Sequence, residues 1–174
     1  MNVAKLQQRR AGFTLVELMI VVAIMGILAG IAYPLMLSWL PNMRLRGAAR
    51  DVYSVMQRAK AEAIERGVDV TVGFSTATDA YIMFLDTGEG VGGIAGNELL
   101  DGSEPALFRS GPLPDGVAFD PATDGDGVTF VAGNALVFTS RGLPVGTGTV
   151  AMWVPATGRQ RTVTVNIAGR VRMQ

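Results

Sequence analysis

Two places in this 174-residue chain carry charged groups at a spacing that could do chemistry. The first is Glu17, inside Gly12-Phe-Thr-Leu-Val-Glu-Leu-Met-Ile-Val-Val-Ala-Ile-Met-Gly-Ile-Leu-Ala-Gly-Ile-Ala-Tyr-Pro34. An acid at the centre of a membrane helix costs about 2.5–3.5 kcal/mol on insertion scales, so one just inside such a run calls for a partner. A cut after Gly12 would supply it, as the new α-amino group of Phe13 on a neighbouring copy. A lone carboxylate near a span end could instead snorkel to water. The second place is Gly169-Arg-Val-Arg172 near the C-terminus. On an alternating strand Arg170 and Arg172 share a face and could hold two successive phosphates, with Arg159 and Arg161 on the preceding strand extending the patch. The plainer alternative is a basic hairpin that meets an acidic surface on another subunit.

Other chemistry is poorly provided for. The chain has no His and no Cys, which excludes nucleophile–base pairs built on either residue and the common zinc sites. Asp120-Pro-Ala-Thr-Asp-Gly-Asp-Gly127 offers oxygen ligands of the kind calcium takes, but it lacks the EF-hand spacing and its later Glu, and Asp-Gly pairs are ordinary turn formers. Asp86, Glu89 and Glu98 read as loop solvation. The Gly repeats at 88–93 and 142–148 lack the Lys of a phosphate-binding loop and precede no helix. No enzyme, cofactor or metal is expected.

The elements that position these residues start with the apolar run. Leu18 to Leu37 carries no charge, and its 20 residues as a helix span about 30 Å, one bilayer core. A cleaved secretory signal places its cut after the apolar stretch, whereas here Lys5, Arg9 and Arg10 lead directly to Gly12-Phe13, before it. Pro34 and Pro41 predict kinks in a continuing helix and not a stop. Beyond them Leu45, Ala48, Ala49, Val52, Val55, Met56, Ala59 and Ala63 recur at helical spacing and draw one apolar stripe, ended by Arg66-Gly67. Short Val-, Thr- and aromatic-rich runs follow, at 68–74, 80–85, 117–119, 128–131, 135–138, 149–154 and 161–167, and a turn at Ala168-Gly169 returns a last strand. Alternation in the 161–167 run puts Val163, Val165 and Ile167 on one face. The link from Thr87 to Asp115 predicts a surface loop with little regular structure.

Formal net charge is zero, but its distribution is uneven. Between Asp69 and Asp126 eleven acids face a single base, Arg109, while five arginines and no acid lie from Arg141 onward. Solvated faces are the usual cause of such runs, and a polarised interaction surface is the other.

The stretch from Gly12 to Pro34 resembles the prepilin signature of type IV pilins and type II secretion pseudopilins at Gly12, Phe13, Thr14, Leu15, Glu17 and Pro34. The resemblance implies cleavage after Gly12 and N-methylation of Phe13 by a prepilin peptidase, then packing of the helix in a filament core with Glu17 meeting the amine of another subunit. Downstream, 59–67, 81–86, 136–142 and the closing Gly-Arg-Val-Arg resemble the GspH/FimT-like minor pseudopilins and pilins, without the C-terminal cysteines of some members. The fold this implies is α+β, a pilin-like lollipop with a long N-terminal transmembrane and stem helix packed on a C-terminal antiparallel β-sheet domain. Its parts would be a leader at 1–12, a transmembrane or filament-core helix at 13–40, an amphipathic continuation at 41–66 and a β-rich periplasmic or extracellular domain at 67–174. The function implied is that of a minor subunit at or near the tip of a type II secretion pseudopilus or type IV pilus, taking part in assembly and protein secretion. Its partners would be other pilin subunits, the peptidase, the bacterial inner membrane, the assembly platform there and secreted substrate. The N-terminus would be cytoplasmic. The alternative is a FimT-like minor pilin that binds extracellular DNA for transformation through Arg159, Arg161, Arg170 and Arg172. A plain anchored domain is a third reading.

Overall fold

The computed structural model describes residues 13–88, 100, 104–130 and 134–174. Gly12, the basic residues Lys5, Arg9 and Arg10, the loop acids Glu89 and Glu98, and Val131 lie outside the described residues.

One α-helix, α1 (Leu15–Arg66), runs for 52 residues through both Pro34 and Pro41, so neither proline is a stop. The chain divides into two compact units, Met1–Ser38 and Trp39–Gln174. In the first, the apolar segment Leu15–Tyr33 is long and apolar enough to cross a membrane, and none of it is buried.

In the second unit the eight apolar positions expected on the stem helix are all buried, Leu45 through Ala63, and Ala49, Met56, Ala59 and Ala63 are fully so. Three of these four are alanines, and small side chains let a helix lie close against a sheet. The helix ends as its sequence requires. Gly67 takes φ +67° and its N–H donates to the Ala63 carbonyl at 3.0 Å, a conformation open to Gly and costly to other residues. Glu62 ties the last two turns, accepting from Arg66 Nε at 2.7 Å and lying 3.5 Å from Arg58 Nε. The Arg66 hydrogen bond holds the Glu62 carboxyl below its ordinary range.

Eight strands follow: β1 (Val70–Ser75), β2 (Ala80–Leu85), β3 (Ala106–Arg109), β4 (Ala118–Phe119), β5 (Ala135–Phe138), β6 (Gly148–Val154), β7 (Arg159–Val165) and β8 (Val171–Met173). They form two four-stranded sheets in the orders β3-β2-β1-β5 and β4-β6-β7-β8, with every pair antiparallel. One contiguous core joins the α1 stripe to both sheets. At its aromatic centre Phe74 stacks on Phe130 at 6.0 Å and meets Phe119 edge-on at 6.1 Å.

Three expectations need correction. The Thr87–Asp115 link contains β3, which pairs Met83 with Phe108 and Ile82 with Arg109. Its four residues, Ala-Leu-Phe-Arg, sit in a Gly- and acid-rich stretch too polar for so short a run to stand out. The 128–131 run makes a single bridge, Val128 to Val150, and no strand among its described residues. It enters from a turn in which Asp124, Gly125 and Gly127 all have positive φ, and Thr129 then bonds Thr149 through its side chain as well as its backbone. Ile167 does not share the buried face of Val163 and Val165. β7 stops at Val165 and Ile167 is 77% exposed in the following turn.

Candidate assembly and anion-binding surfaces

At the start of α1, the Thr14 side-chain oxygen accepts the Glu17 N–H at 3.2 Å and the Thr14 carbonyl accepts Leu18 N–H at 3.2 Å. Thr14 is therefore the N-cap and Glu17 the third helical residue, the Thr-x-x-Glu order of a capping box. A negative charge in a first turn gains about 0.3–1 kcal/mol from the helix dipole. Sequence reading singled out Glu17 but missed the cap, although Thr14 stands three residues before it. Pro34 lies within α1.

At the other end of the chain, Arg170 and Arg172 are exposed on either side of buried Val171. Asn166 shapes the hairpin, its carbonyl accepting Gly169 N–H at 2.8 Å and its side-chain oxygen accepting Arg170 N–H at 2.9 Å. Gly169 has φ +68°, and a Cβ there would meet the Gly142 carbonyl at 2.8 Å and Lys60 Nζ at 3.1 Å. Lys60 Nζ in turn donates to the Gly169 carbonyl at 2.9 Å. The hairpin is thus seated on the helix and on the neighbouring 139–144 turn, and Lys60, Arg141 and Arg170 are brought to one end of the domain.

Arg159 and Arg161 do not join this group. The β7–β8 register sets Arg172 opposite Thr164 and Met173 opposite Val163, so Arg161, two residues from Val163, belongs to the other face of the strand. There Arg161 and Met173 line a hollow of about 230 Å³ with Arg46 and Arg50 of α1. A second hollow of about 120 Å³ is lined by Asn42, Leu45, Arg46, Arg159, Gln160 and Arg161. Arg46 and Arg50, four residues apart on the helix, were not foreseen as a site.

A larger cleft of about 570 Å³ runs between α1 and the 108–114 segment, with Asp51, Arg58, Tyr81, Arg109 and Ser110 among its lining. Burial, then the charge of Asp51, pushes the Tyr81 hydroxyl above its ordinary pKa. The cleft has donors and acceptors for binding.

Asp120 and Asp126 of the 120–127 loop bond within the fold. Asp120 Oδ1 accepts Ala122 N–H at 3.0 Å, its Oδ2 accepts Gln160 Nε2, and Asp126 Oδ1 accepts Val128 N–H at 3.1 Å. Among the described residues no three carboxylates are grouped to hold a metal ion.

Two family models match the chain. The first, "Prokaryotic N-terminal methylation motif", covers residues 7–33. The second, "Type II transport protein GspH", covers residues 48–169, most of the second unit. The chain belongs to the GspH family. It is 31% identical over 172 residues to the pilin-like protein PilA1 of Thermus thermophilus, covering 95% of this chain and 99% of that one. A fimbrial protein of Pseudomonas aeruginosa is 35% identical over 130 residues, 75% of this chain and 78% of its own. In fold, similar solved structures include the minor pseudopilin EpsH of the Vibrio cholerae type 2 secretion system, with TM-score 0.53 and 17% identity over 75% of this chain and 96% of that one. The type IV minor pilin FimU of Pseudomonas aeruginosa gives 0.53 and 16% over 76% and 90%. The α+β pilin fold expected from the sequence is therefore the fold observed, and the family is one of structural subunits.

Proposed function

We propose that this GspH-family chain is a minor subunit at or near the tip of a type II secretion pseudopilus or type IV pilus, where it takes part in filament assembly and secretion. A prepilin peptidase removes residues 1–12 and methylates the Phe13 amine. The chain waits in the inner membrane with its N-terminus cytoplasmic and its second unit periplasmic, and the assembly platform then draws it into the filament. The observation that carries this reading is the complete exposure of Leu15–Tyr33. Large side chains such as Leu15 and Ile27 are 74% and 66% exposed, so this segment must be covered either by lipid or by equivalent helices of other subunits. Glu17 then fixes axial register, because only one stagger places it at a neighbour's amine.

Tagged chain should co-purify with sheared filaments at far below the abundance of the main subunit and be lost from that fraction in a strain lacking the prepilin peptidase. Recovery in filaments without the peptidase would sink the reading.

A second reading, binding of extracellular DNA, is favoured by the exposed pair Arg170 and Arg172 on the C-terminal hairpin. In this reading the contact is to phosphates and its affinity falls steeply with salt. Fluorescence anisotropy with duplex DNA should show that salt dependence, and Arg170→Ala/Arg172→Ala should abolish binding. Absence of binding at low salt would remove this reading and leave the hairpin as a contact between subunits.

A further inference from the structure

Four arginines line the paired hollows between α1 and β7: Arg46, Arg50, Arg159 and Arg161. Among the described residues the ion pairs are those of Glu62 with Arg58 and Arg66, and none of the four arginines has a carboxylate within ion-pair distance. No acid lines either hollow. Like charges held this close repel one another, and an arrangement of this kind is relieved by an anion shared among them. Planar forks approaching from two sides suit a phosphate, whose oxygens accept several parallel N–H bonds.

We propose that this cleft binds the phosphate of an anionic phospholipid headgroup while the protein resides in the membrane. The proposal rests on Leu15–Tyr33 being a membrane span and is independent of any role in a filament. Three observations favour a lipid over a nucleic acid or an acidic protein. Two of the four arginines sit on α1 itself, the helix that carries the span. Trp39 is 63% exposed and Leu40 is 43% exposed, and an exposed Trp following a span is the usual marker of the membrane–water interface. From Trp39 to Arg46 the helix rises about 10 Å, while headgroups extend some 5–7 Å beyond the hydrocarbon core. Side chains on a helix lean toward its N-terminus, and an arginine stem is long enough to close that gap. Finally, hollows of about 230 and 120 Å³ fit single phosphate groups, whereas a duplex needs an open convex or grooved surface.

The test uses the unit Trp39–Gln174, which is compact by itself. Co-sedimentation is measured with vesicles of phosphatidylcholine alone and of phosphatidylcholine with phosphatidylglycerol. The unit should bind the anionic vesicles only. Binding should weaken at least tenfold in Arg46→Gln/Arg50→Gln and again in Arg159→Gln/Arg161→Gln, two variants on different elements that need not share a folding defect. Arg170→Ala/Arg172→Ala should bind as the parent does. Equal binding to both vesicles, or parent-like binding by both glutamine variants, would overturn the proposal. So would a melting temperature raised by inorganic phosphate without vesicle binding, which would assign the cleft to free phosphate. Loss of duplex DNA binding in the glutamine variants, with vesicle binding intact, would assign it to nucleic acid. None of these readouts involves peptidase processing or filaments, so failure here leaves the proposed function standing.

Discussion

Gly127→Ala should destabilise the second unit by about 2–5 kcal/mol. Two costs combine. Gly127 holds φ +89°, a conformation costing other L-residues roughly 1–2 kcal/mol. A Cβ would also stand 2.7 Å from the Asp120 backbone nitrogen and 3.0 Å from the Ala151 carbonyl oxygen, and these are main-chain atoms that cannot swing aside. They belong to the bond by which Asp120 N–H is held to Ala151 at 2.9 Å, so making room displaces the junction of β4 with β6 at a further cost of about 1–3 kcal/mol. Gly116 provides the control: it has φ +82° but nothing within 4 Å of its Cβ, so Gly116→Ala should cost only the conformational share, about 1–2 kcal/mol. Urea unfolding of Trp39–Gln174 reads both as shifts of midpoint at constant slope. Equal shifts for the two variants would mean that the crowding at Gly127 is relieved cheaply.

Glu17→Val should leave the chain abundant in the membrane and remove it from filaments. The substitution makes the apolar segment cheaper to insert, since it deletes the one acid in the run. It also leaves a neighbour's amine without its counter-charge, and breaking a buried ion pair by removing one partner costs about 3–5 kcal/mol, more than a hundredfold in occupancy. Thr14→Ala separates this role from capping. It removes the Thr14–Glu17 cap, worth about 1 kcal/mol, and keeps the carboxylate. Filament recovery should fall only slightly in Thr14→Ala and to background in Glu17→Val. Comparable losses would assign Glu17 to helix capping and remove its pairing role.

The helix was readable because its physics is local. A 3.6-residue period picks out one face whatever lies against it, and Arg66-Gly67 is a self-contained end signal, so the eight stripe residues and the terminus were found directly. The sheets were readable only as a set of strands. Which strands pair depends on contacts distant in sequence, so the division into β3-β2-β1-β5 and β4-β6-β7-β8 left no trace in any single segment. β3 escaped because four residues within an acid-rich link carry too few alternations to register. The arginines are a different case. Arg161 has the same parity as Val163 and Val165, which alternation already puts on one face, so its separation from Arg172 was available from strand geometry. What could not be read was that Arg46 and Arg50 of α1 would meet it there, since that contact joins positions more than a hundred residues apart.

In the proposed function the mature chain starts at Phe13 and keeps its apolar helix. Peptide mass spectrometry of the protein taken from its own membranes tests it most directly. The expected first peptide begins at N-methylated Phe13 and continues through Glu17, with residues 1–12 gone. A first peptide starting at Met1, or one starting beyond Tyr33 as after removal of a secretory signal, would contradict it.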